Sequence, residues 1–328
     1  VRSRGIRATA IALLALGLAL AAAPASAETL RLGYETWVAP GPFFIAREKG
    51  WFKEEGVSVE LVNIEDIGVR ASALASGEVD AITANIDEAV LHLAAGGDPR
   101  FLFAIAESHG GDGIIADNAI KQIADLKGKT IAVQPATSRQ FYLDALLRNA
   151  GLSQADIAIV AKAPAEAGLA FERRQVDAAV TWQSWLSRVA LMPTGHVLTD
   201  SSQQPGLLVE TVVAQREVLE KRQADFRALY RAWLRAVEWA KKNPEDSAEL
   251  IAQGVGRWLR DKLVVAQMRE GVAYYDDAMN QAFFGDGATP GPIVGTVATA
   301  MEVWSKNGGA DNGNGSADMV SRAVVGGK

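Results

Sequence analysis

Apolar and polar residues follow two periods in turn along most of this chain. Val57-Ser-Val-Glu-Leu-Val62 alternates every second residue, as a strand with one packed face does. Phe43 to Lys49 and Ile67 to Ser76 carry apolar residues at helical spacing, with Gly50 and Gly77 as stops. Leu30 to Tyr34, Val79 to Thr83 and Phe101 to Ala106 are short apolar runs, and Glu88 to Ala95 has the helical pattern. Strand and helix thus alternate, which predicts a mainly parallel sheet with helices on both faces. The order then repeats: Ile131–Val133 as strand, Arg139–Asn149 as helix, Ile157–Val160 as strand, Ala165–Arg173 as helix, Val176–Val180 as strand, and a helix from Trp182.

Two stretches make the repeat specific. Gly77-Glu-Val-Asp-Ala-Ile-Thr83 and Arg174-Gln-Val-Asp-Ala-Ala-Val-Thr181 share a polar pair, Val-Asp-Ala, an apolar step and a Thr, with Asp80 and Asp177 97 positions apart. In each, a β-prone run ends and polar or aromatic residues enter a helix. The fold class expected is α/β with two related lobes, each a mainly parallel sheet flanked by helices, and a two-strand hinge. Lobe one takes residues 28–115 and 210–305, lobe two takes 116–209, and 306–328 form a flexible tail rich in Gly and Asn. Gly113–Ala116 is expected to leave lobe one and Leu208–Ala214 to return, so that two extended segments form the hinge. The chain after Arg216 reads as helical over 226–242, 247–253 and 260–275, with Leu229, Trp233 and Val237 on one face.

The start of the chain has a different character. Arg2, Arg4 and Arg7 precede an almost wholly apolar run, Ala8 to Ala23, and Pro24-Ala-Ser-Ala27 ends in small residues. This pattern predicts a secretory signal peptide over residues 1–27, cleaved after Ala27, and a periplasmic protein. The formal charge of −6 gives no support for nucleic-acid binding. With no Cys in the chain, disulfides, thiolate catalysis and Cys-based metal sites are excluded. No cofactor or metal is expected. His92, His109 and His196 are the only His residues, and neither G-x-S-x-G nor H-E-x-x-H occurs. His109 lies near Glu107 and Asp112 in what reads as a polar loop.

Open α/β sheets place their sites just beyond the strand tips. The candidate ligand contacts are therefore Glu35 and Trp37, then Asn85, Asp87 and Glu88, then Glu107 and Asp112, then Ser138, Arg139 and Gln140, then Trp182 and Trp185, and Glu210 on the return strand. Asp80 and Asp177 are expected to be structural. Carboxylates among Trp faces suit an amine, a guanidinium or a quaternary ammonium, through ion pairs and cation–π attraction. One feature favours an anion instead. Pro135-Ala-Thr-Ser-Arg139 opens a helix whose free N–H groups, with Ser138 and Arg139, attract negative charge.

Four motifs carry a resemblance. Phe43-Phe-Ile-Ala-Arg-Glu-Lys-Gly-Trp-Phe-Lys-Glu-Glu-Gly56, Leu74-Ala-Ser-Gly-Glu-Val-Asp-Ala81, Asp125-Leu-Lys-Gly-Lys-Thr-Ile-Ala-Val133 and Val176-Asp-Ala-Ala-Val-Thr-Trp182 resemble, in this order, periplasmic substrate-binding proteins for nitrate, sulfonates and taurine. The resemblance spans residues 29–305. It implies a type II periplasmic-binding-protein fold, a monomer that closes on a small solute and hands it to an inner-membrane ABC permease with its ATPase. Taurine is the family's natural zwitterion. Sulfonate-binding members carry small hydroxyl residues where this chain has Asn85-Ile-Asp-Glu88, and Glu35, Asp87 and Asp112 resemble a branch associated with urea- or guanidine-carboxylating pathways. The expected solute is therefore amine-bearing: a taurine-like zwitterion, a guanidinium or a quaternary ammonium. A bare anion is the first alternative. An enzyme on the same scaffold is the second, although the enzymes of this superfamily, a thiamine pyrimidine-precursor synthase and certain desulfinases, resemble one another in using a Cys.

Overall fold

A computed structural model describes residues 28–93, 97–286, 288–306 and 315–326; the expected signal peptide lies outside them. Among the described residues eleven strands form two sheets: β1 Leu30–Tyr34, β2 Val59–Asn63, β3 Ala81–Asn85, β4 Pro99–Ser108, β5 Asp112–Asp117, β6 Thr130–Val133, β7 Ala158–Ala161, β8 Ala178–Trp182, β9 Gly195–Asp200, β10 Val209–Gln215 and β11 Val272–Tyr274. The first sheet has the order β11-β4-β10-β3-β1-β2 and the second β7-β6-β8-β5-β9. Each has a parallel half, β2-β1-β3 or β7-β6-β8, built from strand–helix–strand units. Each is completed by a strand next to a crossing: β10 inserts antiparallel between β3 and β4, and β5 antiparallel between β8 and β9. The sheets are therefore more mixed than strand–helix alternation alone suggests.

The repeated Asp explains why both parallel halves begin alike. Arg31 N donates to Asp80 Oδ2 at 2.7 Å, and Asp80 N returns a bond to Arg31 O at 2.9 Å. Thr130 N donates to Asp177 Oδ2 at 2.8 Å, and Asp177 N donates to Thr130 O at 2.9 Å. In both lobes the carboxylate satisfies an amide at the start of the central strand that would otherwise be left unpaired.

The first crossing differs from expectation. Gly113–Ala116 lies within β5 and is paired on both sides in the second sheet, so the chain changes lobes at His109–Gly111. The return runs from Ser201 to Leu208. Ser201 Oγ meets Ser108 Oγ at 2.8 Å and accepts from Gly110 N at 2.9 Å, so the two crossings are bonded to each other. Gly111 lies against Gly271, where an added Cβ on Gly271 would stand 2.6 Å from Gly111 Cα.

The core of lobe one continues into the C-terminal helices. In the Gln223–Lys242 helix, Leu229, Trp233 and Val237 are buried as their spacing predicts. Trp233 packs on Phe43 with centroids 4.7 Å apart, and its Nε1 donates to Tyr275 O at 3.0 Å, so both its apolar body and its polar edge are satisfied. The expected helix over 260–275 is corrected: Lys262–Arg269 is helical, but the chain turns at Gly271 and Val272–Tyr274 pairs with β4. β-Branched and aromatic side chains suit that sheet edge. The expected flexible tail is corrected too, for residues 315–326. Val320 bridges to Phe101, Ala323 O accepts from Gln223 and Arg227, and Met319, Val324 and Val325 are buried. The Pro292–Lys306 helix touches both lobes: Trp304 Nε1 donates to Asp87 O at 2.9 Å in lobe one, and Glu302 pairs with Arg148 at 2.6 Å in lobe two. Among the described residues no helix is long and apolar enough to cross a membrane.

Candidate ligand-binding cleft

The strand tips of both lobes meet around a cleft of about 300 Å³ beside the crossings. Lobe one contributes Glu35 and Trp37 from the loop after β1, Asn85 and Glu88 from the β3 tip and the Ile86–Leu93 helix, Glu107 from β4 and Glu210 from β10. Lobe two contributes Ser138 and Arg139 from the start of the Ser138–Asn149 helix and Trp182 from the end of β8, with Asp112 at the start of β5.

The lobe-one wall is a carboxylate cluster with one cation behind it. The Arg70 side chain is fully buried and every donating nitrogen is engaged. Nε donates to Thr83 O at 3.0 Å, Nη1 to Ile64 O at 2.7 Å and Glu65 O at 3.2 Å, and Nη2 to Glu35 Oε2 at 3.0 Å. Glu35 therefore has its counter-ion. Glu65, at the rim, is paired with Arg257 at 2.8 Å. Glu107 accepts from Gly206 N at 2.8 Å and from the Tyr275 hydroxyl at 3.1 Å.

Glu88 and Glu210 have no ion-pair partner among the described residues. Burial pushes the Glu88 carboxyl up to about 7, helped by the charge on Glu35, while Arg70, Asn85 and Arg139 oppose the shift. Burial pushes Glu210 up to about 8, again helped by Glu35, with the Thr83 hydroxyl and Arg70 opposing. The Thr83 hydroxyl lies outside good hydrogen-bond geometry, and Glu210 Oε1 accepts no hydrogen bond. A buried carboxylate without a paired cation is costly, so these two groups favour either a proton or a cation brought from outside.

The lobe-two wall has the opposite character. Arg139 Nη2 stands 3.0 Å from Asp112 Oδ1, poorly aligned for a hydrogen bond, so the contact is mainly Coulombic. Its guanidinium lies 5.2 Å from the centre of the Trp182 ring. Arg139 is thus neutralised by one neighbour and stacked on another, and this wall offers an aromatic face and the Ser138 hydroxyl.

Three expected contacts do not line the cleft. Asp87 is buried behind it. Its Oδ1 accepts from Ser138 Oγ at 2.9 Å across the lobes, its carbonyl accepts from Trp304 Nε1 at 2.9 Å, and burial beside Glu88 holds its carboxyl well above the ordinary range. Gln140 is turned inward, accepting from Ala136 N at 2.7 Å. Trp185 packs against Gly168, where a Cβ would meet the ring at 2.2 Å, and the Arg188 guanidinium lies 5.2 Å from its ring centre. His109 is exposed, its Nδ1 3.9 Å from Glu107 Oε1.

Trp258 is the main lining residue that the sequence reading missed. It is 56% exposed at the cleft mouth. A short turn holds it there, in which Gly256 and Arg257 have φ of 65° and 55° and Leu259 is buried. A non-glycine in the left-handed region is a strained position that its surroundings must fix, and the Arg257 pairing with Glu65 does so. That single positive-φ Arg, far from any strand tip, left no pattern to read.

Comparison with known proteins gives one consistent picture. Residues 39–247 match the family model described as NMT1/THI5 like. A putative aliphatic sulfonates-binding protein of Bacillus subtilis is 26% identical over 231 residues, covering 69% of each chain. The taurine-binding periplasmic protein of Escherichia coli is 30% identical over 189 residues, 57% of each. The crystal structure of the periplasmic aliphatic sulphonate binding protein SsuA from Escherichia coli superposes with a TM-score of 0.68 at 22% identity, covering 86% of this chain and 88% of that one. The two-lobed fold is thus that of periplasmic binding proteins.

Proposed function

The chain belongs to the NMT1/THI5-like family, and we propose that it is the solute-binding component of an ABC importer whose cleft captures a small solute bearing an amine or guanidinium group. It is a binding protein rather than an enzyme, exported behind residues 1–27, acting as a monomer that delivers its solute to a permease. The relatives' names support the transport class. The charge of the solute is carried by one observation: Glu210, buried, and Glu88, half-buried, face the cleft, and the cations around them are already paired with other carboxylates. A cationic group with N–H donors supplies both the charge and the hydrogen bonds these carboxyls lack. Trp182 and Trp258 then cover the solute's remaining surface.

A bare alkanesulfonate is the second reading, favoured by the relatives' names and by Ser138 and Arg139 at a helix start. It asks an anion to enter a cleft in which Arg139 is already bound to Asp112. The test is a thermal-shift screen of residues 28–328, unfolded and refolded to strip bound solute, against guanidinium compounds, primary and quaternary amines, taurine, alkanesulfonates and nitrate. A solute at 100 times its dissociation constant adds about 2.7 kcal/mol. A response to cations or zwitterions supports the proposal. A response confined to bare anions moves the site's centre to Ser138 and Arg139.

A further inference from the structure

Pairing each arginine around the cleft with its carboxylate leaves a remainder. Arg70 serves Glu35, Arg139 serves Asp112 and Arg257 serves Glu65. Glu88, Glu107 and Glu210 remain, and Glu107 is held by Gly206 N and the Tyr275 hydroxyl. That leaves the half-buried Glu88 and the buried Glu210, on neighbouring elements: Glu210 of β10 sits in register with Asn85 of β3, and Asn85 Nδ2 reaches Glu88 Oε2 at 3.5 Å. The other charged or titratable groups acting on this pair are Glu35 from the β1 loop, Arg70 from the Ile67–Ser76 helix, Asp87 from the adjoining residue, Arg139 from lobe two and Tyr274 from β11. Three of these are acidic side chains or a phenol, so they cannot stabilise a second negative charge. No three of His, Asp or Glu among the described residues are arranged as a metal site.

We propose that Glu88 and Glu210 set the specificity of the cleft by exchange, giving up a proton when the cationic end of the solute enters. This rests on the cation reading of the proposed function. One protonated carboxyl and one incoming monocation become one carboxylate–cation pair and one proton released to solvent. The net charge of the cleft is unchanged, which is why a low-dielectric site tolerates the step. In the solute-free protein burial favours the protonated form, with Glu88 pushed up to about 7 and Glu210 to about 8. A neutral molecule of the same shape displaces no proton and leaves the pair as it was. The exchange therefore discriminates by charge between isosteres that a cleft shaped only for size would retain alike.

Below the pH at which the pair ionises, affinity for a monocation rises about tenfold per pH unit for each proton released, and above it the dependence flattens. Affinity for the neutral isostere stays level.

Two measurements test this. The first needs no solute: carbon-13 NMR of glutamate carboxyls in the stripped 28–328 protein from pH 4 to 9, with Glu88→Gln and Glu210→Gln for assignment. A carboxyl signal titrating between about pH 6.5 and 8.5, lost in one of the variants, is expected. If every glutamate titrates below about pH 5.5, the exchange is overturned. The wild-type curve alone decides this should a variant fail to fold. The second is calorimetry with guanidinium chloride, and with urea as the neutral isostere, at pH 6, 7 and 8 in buffers of high and low ionisation heat. The expected result is guanidinium binding with release of about one proton at pH 6 and a pH slope that Glu210→Gln reduces. Guanidinium binding with no buffer-dependent heat overturns the exchange and leaves the cation reading standing. High-pH titration in the NMR without binding of guanidinium or any cation of the screen overturns the cation reading, and the exchange with it.

Discussion

The two lobes start from one plan and part at their tips. Asp80 and Asp177 make the same pair of bonds to the strand beside them, and both sheets then run from a parallel half into an antiparallel half. Beyond the strands both copies enter a helix, but the side chains at the tips differ. Lobe one ends in Asn85, Glu88 and Glu210 with Arg70 sealed behind them, and lobe two ends in Ser138, an Arg139 already paired, and Trp182. The difference separates two demands on a sequence. Backbone groups at a strand start must be satisfied for either lobe to fold, so that part of the repeat is held in common. The tips contribute little to folding, and lobe one even bears a cost there, so they are free to differ with the solute.

The sharpest way to break the comparison is to remove the cation behind the lobe-one wall. Arg70→Met should cost about 3–5 kcal/mol, because it strands Glu35 in a buried cluster and orphans three backbone carbonyls. Urea denaturation should show the loss, and no buried position in the lobe-two wall should match it. Next comes the cost stored at the tip. The Glu88 and Glu210 carboxyls lie above their ordinary value of 4.5, so between that pH and about 8 the solute-free folded chain holds more protons than the unfolded one. Its stability should therefore fall as pH rises through this window. Glu210→Gln should flatten the slope and raise stability at pH 8 by on the order of 4 kcal/mol, with little change near pH 4.5. Thermal denaturation across pH checks this, and an unchanged slope would remove the contrast between the walls.

On the other wall, Trp182→Ala should weaken solute binding about tenfold or more, equivalent to about 1.4 kcal/mol, with stability nearly unchanged. Calorimetry with the solute found in the screen reads it; an affinity equal to wild type would make lobe two a passive cover. The smallest expected effect concerns the shared plan itself. Asp177→Ala should cost about 1 kcal/mol for its lost bond to Thr130 N, and Asp80→Ala somewhat more, because Asp80 also meets Arg31 and Arg222, each at 3.3 Å. Equal losses would mean that those arginines add nothing.

Much of the fold was legible because it repeats. Alternating periods gave the strands and helices, and the doubled Val-Asp-Ala located equivalent positions in both lobes. The chain changes lobes at His109–Gly111 rather than along 113–116, since β-prone residues look alike whether they cross between sheets or lie inside one. The site was legible as a set of tips but not as a set of orientations. Asp87 and Glu88 are consecutive at a helix start, and about 100° of helical rotation sends one behind the wall and the other into the cleft. Trp185 lies three residues beyond Trp182, in the Gln183–Val189 helix, and its phase points it at Gly168. Arg70 sits among small residues of a helix that reads as an ordinary amphipathic element, and only the tertiary fold reveals that its donors are all spent inside.

The contact of Gly111 with Gly271 has a mechanical meaning. Where backbone lies on backbone with no side chain between, nothing has to change rotamer for one surface to turn on the other. The two turns are also fastened, with His109 N donating to Gly271 O at 2.8 Å, so the contact is a pinned joint of backbone on backbone. Even one methyl group on either side would act as grit, standing 2.6 Å from the facing backbone and forcing the two turns apart.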